Sequence, residues 1–191
     1  LRVDLDEVVT LAVPPETLTA PPAPEWHLTA VRAPEAWAQG FTGAGVVVST
    51  MDSGADGTHP DLAPAFRGGA NSWFDAFSEY AAPSDPLGHG TQVMGLIVGG
   101  TAGGSAIGMA PGAKWIAARV FDAAGASTLS VLHQGFQWLL DPDGNPETDD
   151  APHSVNNSWS RLEKTNLCFL EFAPDIAVLR EAGIAVVFAA G

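Results

Sequence analysis

The stretch that decides the fold is Val46-Val47-Val48-Ser49-Thr50-Met51-Asp52-Ser53-Gly54. Its nearly continuous apolar and β-branched start predicts a strand buried on both faces. Similar runs follow at residues 114–120, 155–159 and 184–190, and segments with a helical period separate them, at residues 89–98, 129–140 and 175–181. This alternation predicts an α/β fold, doubly wound, with a mostly parallel sheet and helices on both faces.

Composition limits the classes of partner. The 191 residues carry 22 acidic and 8 basic side chains, a formal net charge of -14. Such acidity argues against a nucleic-acid backbone or an anionic membrane surface as partner, and it fits a soluble secreted protein. No apolar run approaches the roughly 20 residues that cross a bilayer, so no transmembrane segment is expected.

The chain divides into two parts. Residues 1–24 contain a short apolar stretch followed by five prolines, a density that predicts an extended linker. The compact domain should therefore cover residues 25–191. Because the chain begins with Leu1 rather than Met and ends at Gly191 directly after a strand-like run, both ends are expected to continue into a longer protein.

Two side chains are candidates for proton transfer. Asp52 directly follows the first strand, and His89 opens a predicted helix within Gly88-His89-Gly90-Thr91. If strand end and helix start meet, Asp52 can accept from one ring N–H while the other nitrogen faces a nucleophile. The alternatives are a turn-capping Asp52 with a surface His89, or a metal set of these two with His59 and Asp61. No His-Glu-x-x-His spacing supports the metal set.

Four blocks then carry a family resemblance: Asp52-Ser53-Gly54, His59-Pro60-Asp61-Leu62, His89-Gly90-Thr91 and Ala110-Pro111-Gly112-Ala113. In this order they resemble the Asp and His blocks of the subtilase family of serine peptidases. Further segments resemble its bacillopeptidase F type, among them Trp73-Phe74-Asp75 and Asn156-Asn157-Ser158-Trp159. The resemblance covers about residues 26–191, and by position it makes residues 1–24 the end of a propeptide with its linker.

The resemblance implies a role for each matching residue in the hydrolysis of internal peptide bonds of proteins. Asp52 would orient the imidazole, and His89 would act as general base and acid. Two segments would bind substrate backbone as an added antiparallel strand: Gly125, Ala126 and Ser127, and Ser158, Trp159 and Ser160. Trp159 has a second interpretation as a core tryptophan, and both remain open at this point.

The nucleophile block of the family is missing. No Gly-Thr-Ser-x-Ala block occurs, and Ala189-Ala190-Gly191 stands where the family continues with the Asn of the oxyanion hole. Ser105 and Ser158 lack a Gly-x-Ser-x-Gly elbow and are not expected to replace the serine. We therefore expect the Ser and the Asn to lie beyond this chain, and we expect this chain alone to be inactive. The alternative is a non-catalytic peptide-binding module derived from a subtilase.

An acidic loop is the candidate metal site. Asp141, Asp143 and Asn145 supply the hard oxygen ligands that calcium prefers, although the twelve-residue EF-hand pattern is absent. The resemblance favours calcium, because subtilases often bind it as a structural ion, and a solvated acidic loop is the alternative. The chemistry itself is expected to need no cofactor.

Overall fold

The computed structural model describes residues 6, 8–11, 24–160 and 170–190. Their central feature is a five-stranded sheet in which all neighbouring strands run parallel. Its spatial order is β3 (Trp73–Asp75), β4 (Lys114–Arg119), β2 (Val47–Asp52), β6 (Ser154–Asn157) and β7 (Ala185–Phe188). The predicted α/β fold with a mostly parallel sheet is confirmed, and the decisive stretch forms the central strand.

Helices cover both faces of this sheet. They are α1 (Trp26–Ala30), α2 (Ala33–Ala38), α3 (His89–Val98), α4 (Leu129–Leu140) and α5 (Ala173–Glu181). On β4, Ala117 belongs to the apolar cluster under α3, and Ala118 belongs to the cluster under α4 and α5. Successive strand residues point to opposite faces, so this alternation places the helices in two layers. None of these described helices has the length and apolar character needed to cross a membrane.

A second, two-stranded sheet lies outside the central one. It joins β1 (Val8–Thr10) to β5 (Ala126–Thr128) in antiparallel register, with Val9 opposite Ser127. The sequence predicted only an extended linker for residues 1–24, because a three-residue strand has no recognisable periodicity. The strand β3 was missed for the same reason.

One expectation about burial is wrong. The run at 184–190 was predicted to be a buried strand, yet Val187 is 52% exposed and Phe188 is 38% exposed. Among the described residues, β7 pairs with β6 alone and forms an edge of the sheet. The apolar sequence therefore predicted the strand correctly and its surroundings incorrectly.

Candidate active site

Asp52 ends the central strand and is completely buried. Its carboxylate Oδ1 accepts the N–H of Ser53 at 2.7 Å. Its backbone carbonyl accepts the N–H of Val120 at 2.8 Å. These bonds hold the carboxylate at the carboxyl end of the sheet, which is where open α/β proteins place their functional crevice.

His89 reaches this carboxylate from the start of α3. Its Nδ1 lies 2.7 Å from Oδ1 of Asp52, and the ring is almost completely buried. The approach depends on Gly90, where a Cβ atom would lie 2.0 Å from the backbone oxygen of Gly54. Any larger residue would push the helix away from β2, so this glycine sets the distance between Asp52 and His89.

A second carboxylate, Asp85, makes hydrogen bonds at the corner formed by Asp52 and His89, and the sequence analysis missed it. Its Oδ1 accepts from the Ser53 hydroxyl and the Gly88 N–H, both at 2.8 Å. Its Oδ2 accepts from the N–H and the hydroxyl of Thr91, both at 2.7 Å. Asp85 thereby caps α3 and ties its first turn to the residue after Asp52. An acid four residues before a predicted helix was a signal that could have indicated it.

The loop that leads to Asp85 is anchored by a buried arginine. Arg119 is fully buried on β4, and its guanidinium lies 2.9 Å from Asp75 and 2.9 Å from Glu79. It also faces the rings of Phe77, at 4.8 Å from the centroid, and Tyr80, at 4.9 Å. Paired charges and aromatic faces are what a desolvated guanidinium needs. These contacts of Arg119 therefore fix the first part of the connection between β3 and α3.

Burial and pairing shift the acidity of both candidate catalytic groups. Burial raises the pKa of the Asp52 carboxyl above its ordinary value, against the opposing effect of the His89 hydrogen bond. The hydrogen bond that the His89 imidazole donates to Asp52 raises the pKa of this imidazole, and the charges of Asp52 and Asp85 act in the same direction. The arrangement favours a protonated imidazole, which is the state that follows proton abstraction from a nucleophile.

The described serines give His89 no hydroxyl partner. The Ser105 hydroxyl donates to Glu25 at 2.8 Å, and the Ser158 hydroxyl accepts from the Asn156 amide at 2.8 Å. His89 is hydrogen bonded through Nδ1, the nitrogen that faces Asp52. Its Nε2 is the atom to which a nucleophile would have to come.

The segment predicted to bind substrate backbone already carries a strand of this chain. Gly125 precedes β5, whose first two residues are Ala126 and Ser127, and the N–H of Leu11 donates to the Gly125 carbonyl at 2.8 Å. Val9 is 2% exposed and Leu11 is 7% exposed, so both enter the core cluster. An extended peptide with aliphatic side chains at alternate positions thus fits β5 by strand addition.

The other predicted binding segment lies beside the same cluster. Ser158, Trp159 and Ser160 follow β6, and Trp159 is 7% exposed. Its indole packs against the rings of Phe121, Phe136, Phe172 and Phe188, and it also lines a cavity of about 550 Å³ together with Val9 and Ser160. Trp159 is therefore a core residue that also lines a cavity, and its role in binding substrate stays a prediction.

The acidic loop brings together a different trio from the one predicted. Carboxylate oxygens of Asp141, Asp143 and Asp150 lie within 4.8 Å of one another. The side-chain oxygen of Asn145 instead accepts the N–H of Glu147 at 3.2 Å. Oδ1 of Asp141 is buried and has no hydrogen-bond partner among the described residues. Three oxygen donors with one unsatisfied buried atom are compatible with a calcium ion.

The alternative metal set is not assembled. Nδ1 of His59 accepts the N–H of Asp61 at 3.2 Å, and Oδ1 of Asp61 accepts the N–H of Ala102 at 2.6 Å. Within the described part of the chain, the side chains that come close enough together to hold a metal ion are those of the acidic loop. None of the four residues of the alternative set is among them.

Comparison with known proteins adds to this geometry. The subtilase family model matches residues 43–191. The chain belongs to the subtilase family. It is 41% identical over 149 residues to bacillopeptidase F of Bacillus subtilis (strain 168), covering 71% of this chain and 10% of that protein. Over 123 residues it is 36% identical to the alkaline protease of Alkalihalobacillus alcalophilus, covering 64% of this chain and 30% of that protein. Over 113 residues it is 37% identical to subtilisin Savinase of Lederbergia lenta, covering 59% of this chain and 39% of that protein.

The resemblance inferred from the four sequence blocks is therefore confirmed at the level of the family. The chain spans between 10% and 39% of the length of these three subtilases. Family membership is established for the matched residues, and the activity and substrates of the whole protein are matters of proposal.

Proposed function

We propose that this chain contributes the proton-transfer half and part of the peptide groove of a serine endopeptidase. The observation that carries the proposal is the 2.7 Å contact between Asp52 and Nδ1 of His89 at the carboxyl edge of the sheet. In the proposed reaction, His89 takes a proton from a serine through Nε2 and returns it to the leaving amine. Asp52 holds the imidazole in the tautomer that leaves Nε2 free to accept.

The groove supports cleavage within a chain rather than at its end. β5 offers its backbone to an extended peptide, as it does to Val8–Thr10, and this contact needs no free terminus. The groove would take the substrate backbone through Gly125, Ala126 and Ser127 on one side, and through Ser158, Trp159 and Ser160 on the other. The substrates are accordingly proteins or peptides with an extended segment, and their place of encounter is proposed to be outside the cell.

The nucleophile and the oxyanion donor of this reaction would come from residues outside these 191. The sequence has no Gly-Thr-Ser-x-Ala block. We propose that the nucleophilic serine and the oxyanion asparagine are supplied C-terminally to Gly191 and that the present residues alone do not turn over substrate. The chemistry calls on no metal. Calcium, held by Asp141, Asp143 and Asp150, would act on stability alone.

The test uses the complete natural protein that contains this chain and an internally quenched peptide substrate. His89→Ala should lower kcat by about 10⁶-fold and Asp52→Asn by about 10⁴-fold, because they remove the base and its orienting partner. Glu181→Gln, an exposed position at the end of α5, is the control and should leave turnover unchanged. Unaltered turnover in either site variant would contradict the proposal.

A second candidate is a peptide-binding module without catalysis. It is favoured by one observation: the described residues already bind an extended segment at β5 but place no hydroxyl at Nε2 of His89. The same experiment separates the two functions. A complete protein that binds the quenched peptide with no cleavage over many hours, and with no labelling by a fluorophosphonate, would establish the binding module.

A further inference from the structure

A histidine on α4 lies between two carboxylates at the start of α5. Nε2 of His133 is 3.3 Å from Oε1 of Glu171, and Nδ1 of the same ring is 3.0 Å from Oδ2 of Asp175. The His133 side chain is 29% exposed and the Asp175 side chain is 16% exposed, so their contact is largely shielded from water. The proposed reaction uses none of these three side chains.

The geometry of this contact requires a protonated ring. A neutral imidazole has one N–H, and its other nitrogen carries a lone pair that can only accept a hydrogen bond. A carboxylate also only accepts, so a neutral His133 could satisfy one of its two neighbours and would repel the other. The imidazolium donates through both nitrogens, and it is the charge state that satisfies Glu171 and Asp175 together.

Among the described residues, the charges that act on this ring are those of Asp175 and Glu171. α4 and β5 carry no other titratable side chain, and Arg180 and Glu181 lie more than one turn beyond Asp175. The described charges on β4 and before β1 have other partners: Arg119 binds Asp75 and Glu79, Lys114 binds the Pro64 carbonyl, and Asp6 binds Ser130. Partial burial lowers the pKa of the His133 imidazole, but the hydrogen bonds and charges of Asp175 and Glu171 outweigh it and raise this pKa above its ordinary value.

The contact between the helices is connected to the peptide groove through one aromatic ring. Phe172 directly precedes α5, and its ring centroid lies 5.0 Å from that of His133 and 5.6 Å from that of Trp159. Phe172 and Ile176 line the cavity of about 550 Å³ that Val9 also lines, and the strand of Val9 pairs with β5. A displacement at the start of α5 would therefore move one wall of this cavity.

We propose that His133 is a positioning residue for the peptide groove: its protonated ring joins the start of α5 to α4 and so holds the cavity wall that receives an aliphatic side chain of an extended peptide. The link to substrate binding rests on the proposed peptidase function, whereas the joint between the helices does not. Because the pKa of His133 is raised by folding, the joint is complete below about pH 6.5 and is lost as the pH rises through the higher pKa of the folded protein. Peptides should therefore bind less tightly at alkaline pH.

Hydrogen exchange tests the joint in the complete natural protein. Exchange of residues 172–182 is followed by mass spectrometry at several pH values from 6 to 9, with a correction for the intrinsic pH dependence of amide exchange. This segment contains the N–H of Ile176, which donates to the Phe172 carbonyl at 2.9 Å. Its protection should fall about threefold to tenfold across this interval, the effect of losing a partly exposed ion pair.

Three variants connect the pH dependence to His133. His133→Gln carries no titratable group, so its corrected exchange should be the same at every pH. Asp175→Asn retains the histidine and should move the midpoint of the change to lower pH, because a charge that raises the pKa of His133 is lost. His27→Gln is the matched control: His27 is another half-buried histidine, but its Nε2 lies 2.9 Å from a backbone carbonyl, that of Ile107, and its replacement should leave the pH dependence in place.

Kinetics test the link to the groove with a quenched peptide that copies residues 4–15. The KM of the natural protein relative to the KM of His133→Gln should rise about threefold over the same pH interval, and the titration of His89 cancels in this ratio.

Each part of the inference has its own contrary result. Corrected exchange that is independent of pH, a pH dependence that His133→Gln retains, or an unmoved midpoint in Asp175→Asn would overturn the joint. A pH-dependent joint with a constant KM ratio would overturn its role in the groove. Absence of cleavage would instead refute the proposed peptidase function, and the ratio of dissociation constants for the same peptide would then decide the role of His133 in place of KM.

Discussion

The corner around Asp52 and His89 and the groove along β5 are held together in opposite ways. At the corner, side chains make the contacts: Asp52, Ser53, Asp85 and His89 form one connected set of hydrogen bonds. In the groove, backbone atoms make most of the contacts, through the register of β1 on β5. The hydrogen bonds at the corner should therefore be lost when single atoms change. The strand pairing in the groove should tolerate most side chains and should depend mainly on the burial of its apolar residues.

Gly90→Ala should have the largest effect on the corner. The new Cβ would lie 2.0 Å from the Gly54 oxygen and 3.0 Å from Cβ of Asp52, so α3 must retreat and carry His89 with it. A displacement near 1 Å is enough for about a 10²-fold loss of kcat/KM. Gly95→Ala is the matched control on the same helix, because its nearest contact is Ile107 at 3.8 Å. Equal activities of the two variants would show that the distance between α3 and β2 does not control kcat/KM.

Asp85→Asn should weaken the corner by a smaller amount. The amide retains the shape but has one accepting oxygen for donors that now bind both, so we expect about a 10-fold to 100-fold loss of kcat/KM. The pH profile gives a separate check. Because Asp85 helps to raise the pKa of His89, the acid limb of kcat/KM should lie above pH 6.5 in the natural protein and move to lower pH in the variant. An unmoved limb would show that Asp85 acts only as a helix cap.

Val9→Asp should have the largest effect in the groove. It places a charge at a position that is 2% exposed, which should loosen β1 from β5. The amide of Leu11, which donates to Gly125, should then exchange its hydrogen about 10-fold to 100-fold faster. Val8→Asp introduces the same charge at a neighbouring position that is 66% exposed, and it should change little. Similar exchange in both variants would mean that burial does not hold this strand.

The difference between corner and groove also explains what the sequence could predict. Long apolar runs and amphipathic periods predicted the central strands, and the bounds of α3 and α4 agree with the predicted residues. Asp52 and His89 were chosen as candidates because each stands at the end of such an element, within a block that resembles the subtilase family, and the structure brings them into contact. Asp85 was not found, because its hydrogen bond with Ser53 joins residues 32 positions apart and forms only after the loop from β3 has folded back. The β1–β5 pair was not found because it joins segments more than a hundred residues apart through three residues each.

Calcium should have the smallest effect, and it acts away from both regions. Asp141, Asp143 and Asp150 repel one another within 4.8 Å, so an ion between them would stabilise the folded state. With a dissociation constant on the order of 0.1 mM, 1 mM calcium adds about 1.4 kcal/mol and raises Tm by about 3 to 6 °C. Asp150→Asn should remove this increase, while Glu147→Gln, on the exposed side of the loop, should keep it. Magnesium at the same concentration is the ionic-strength control, and an equal rise of Tm with both ions would indicate screening rather than a site.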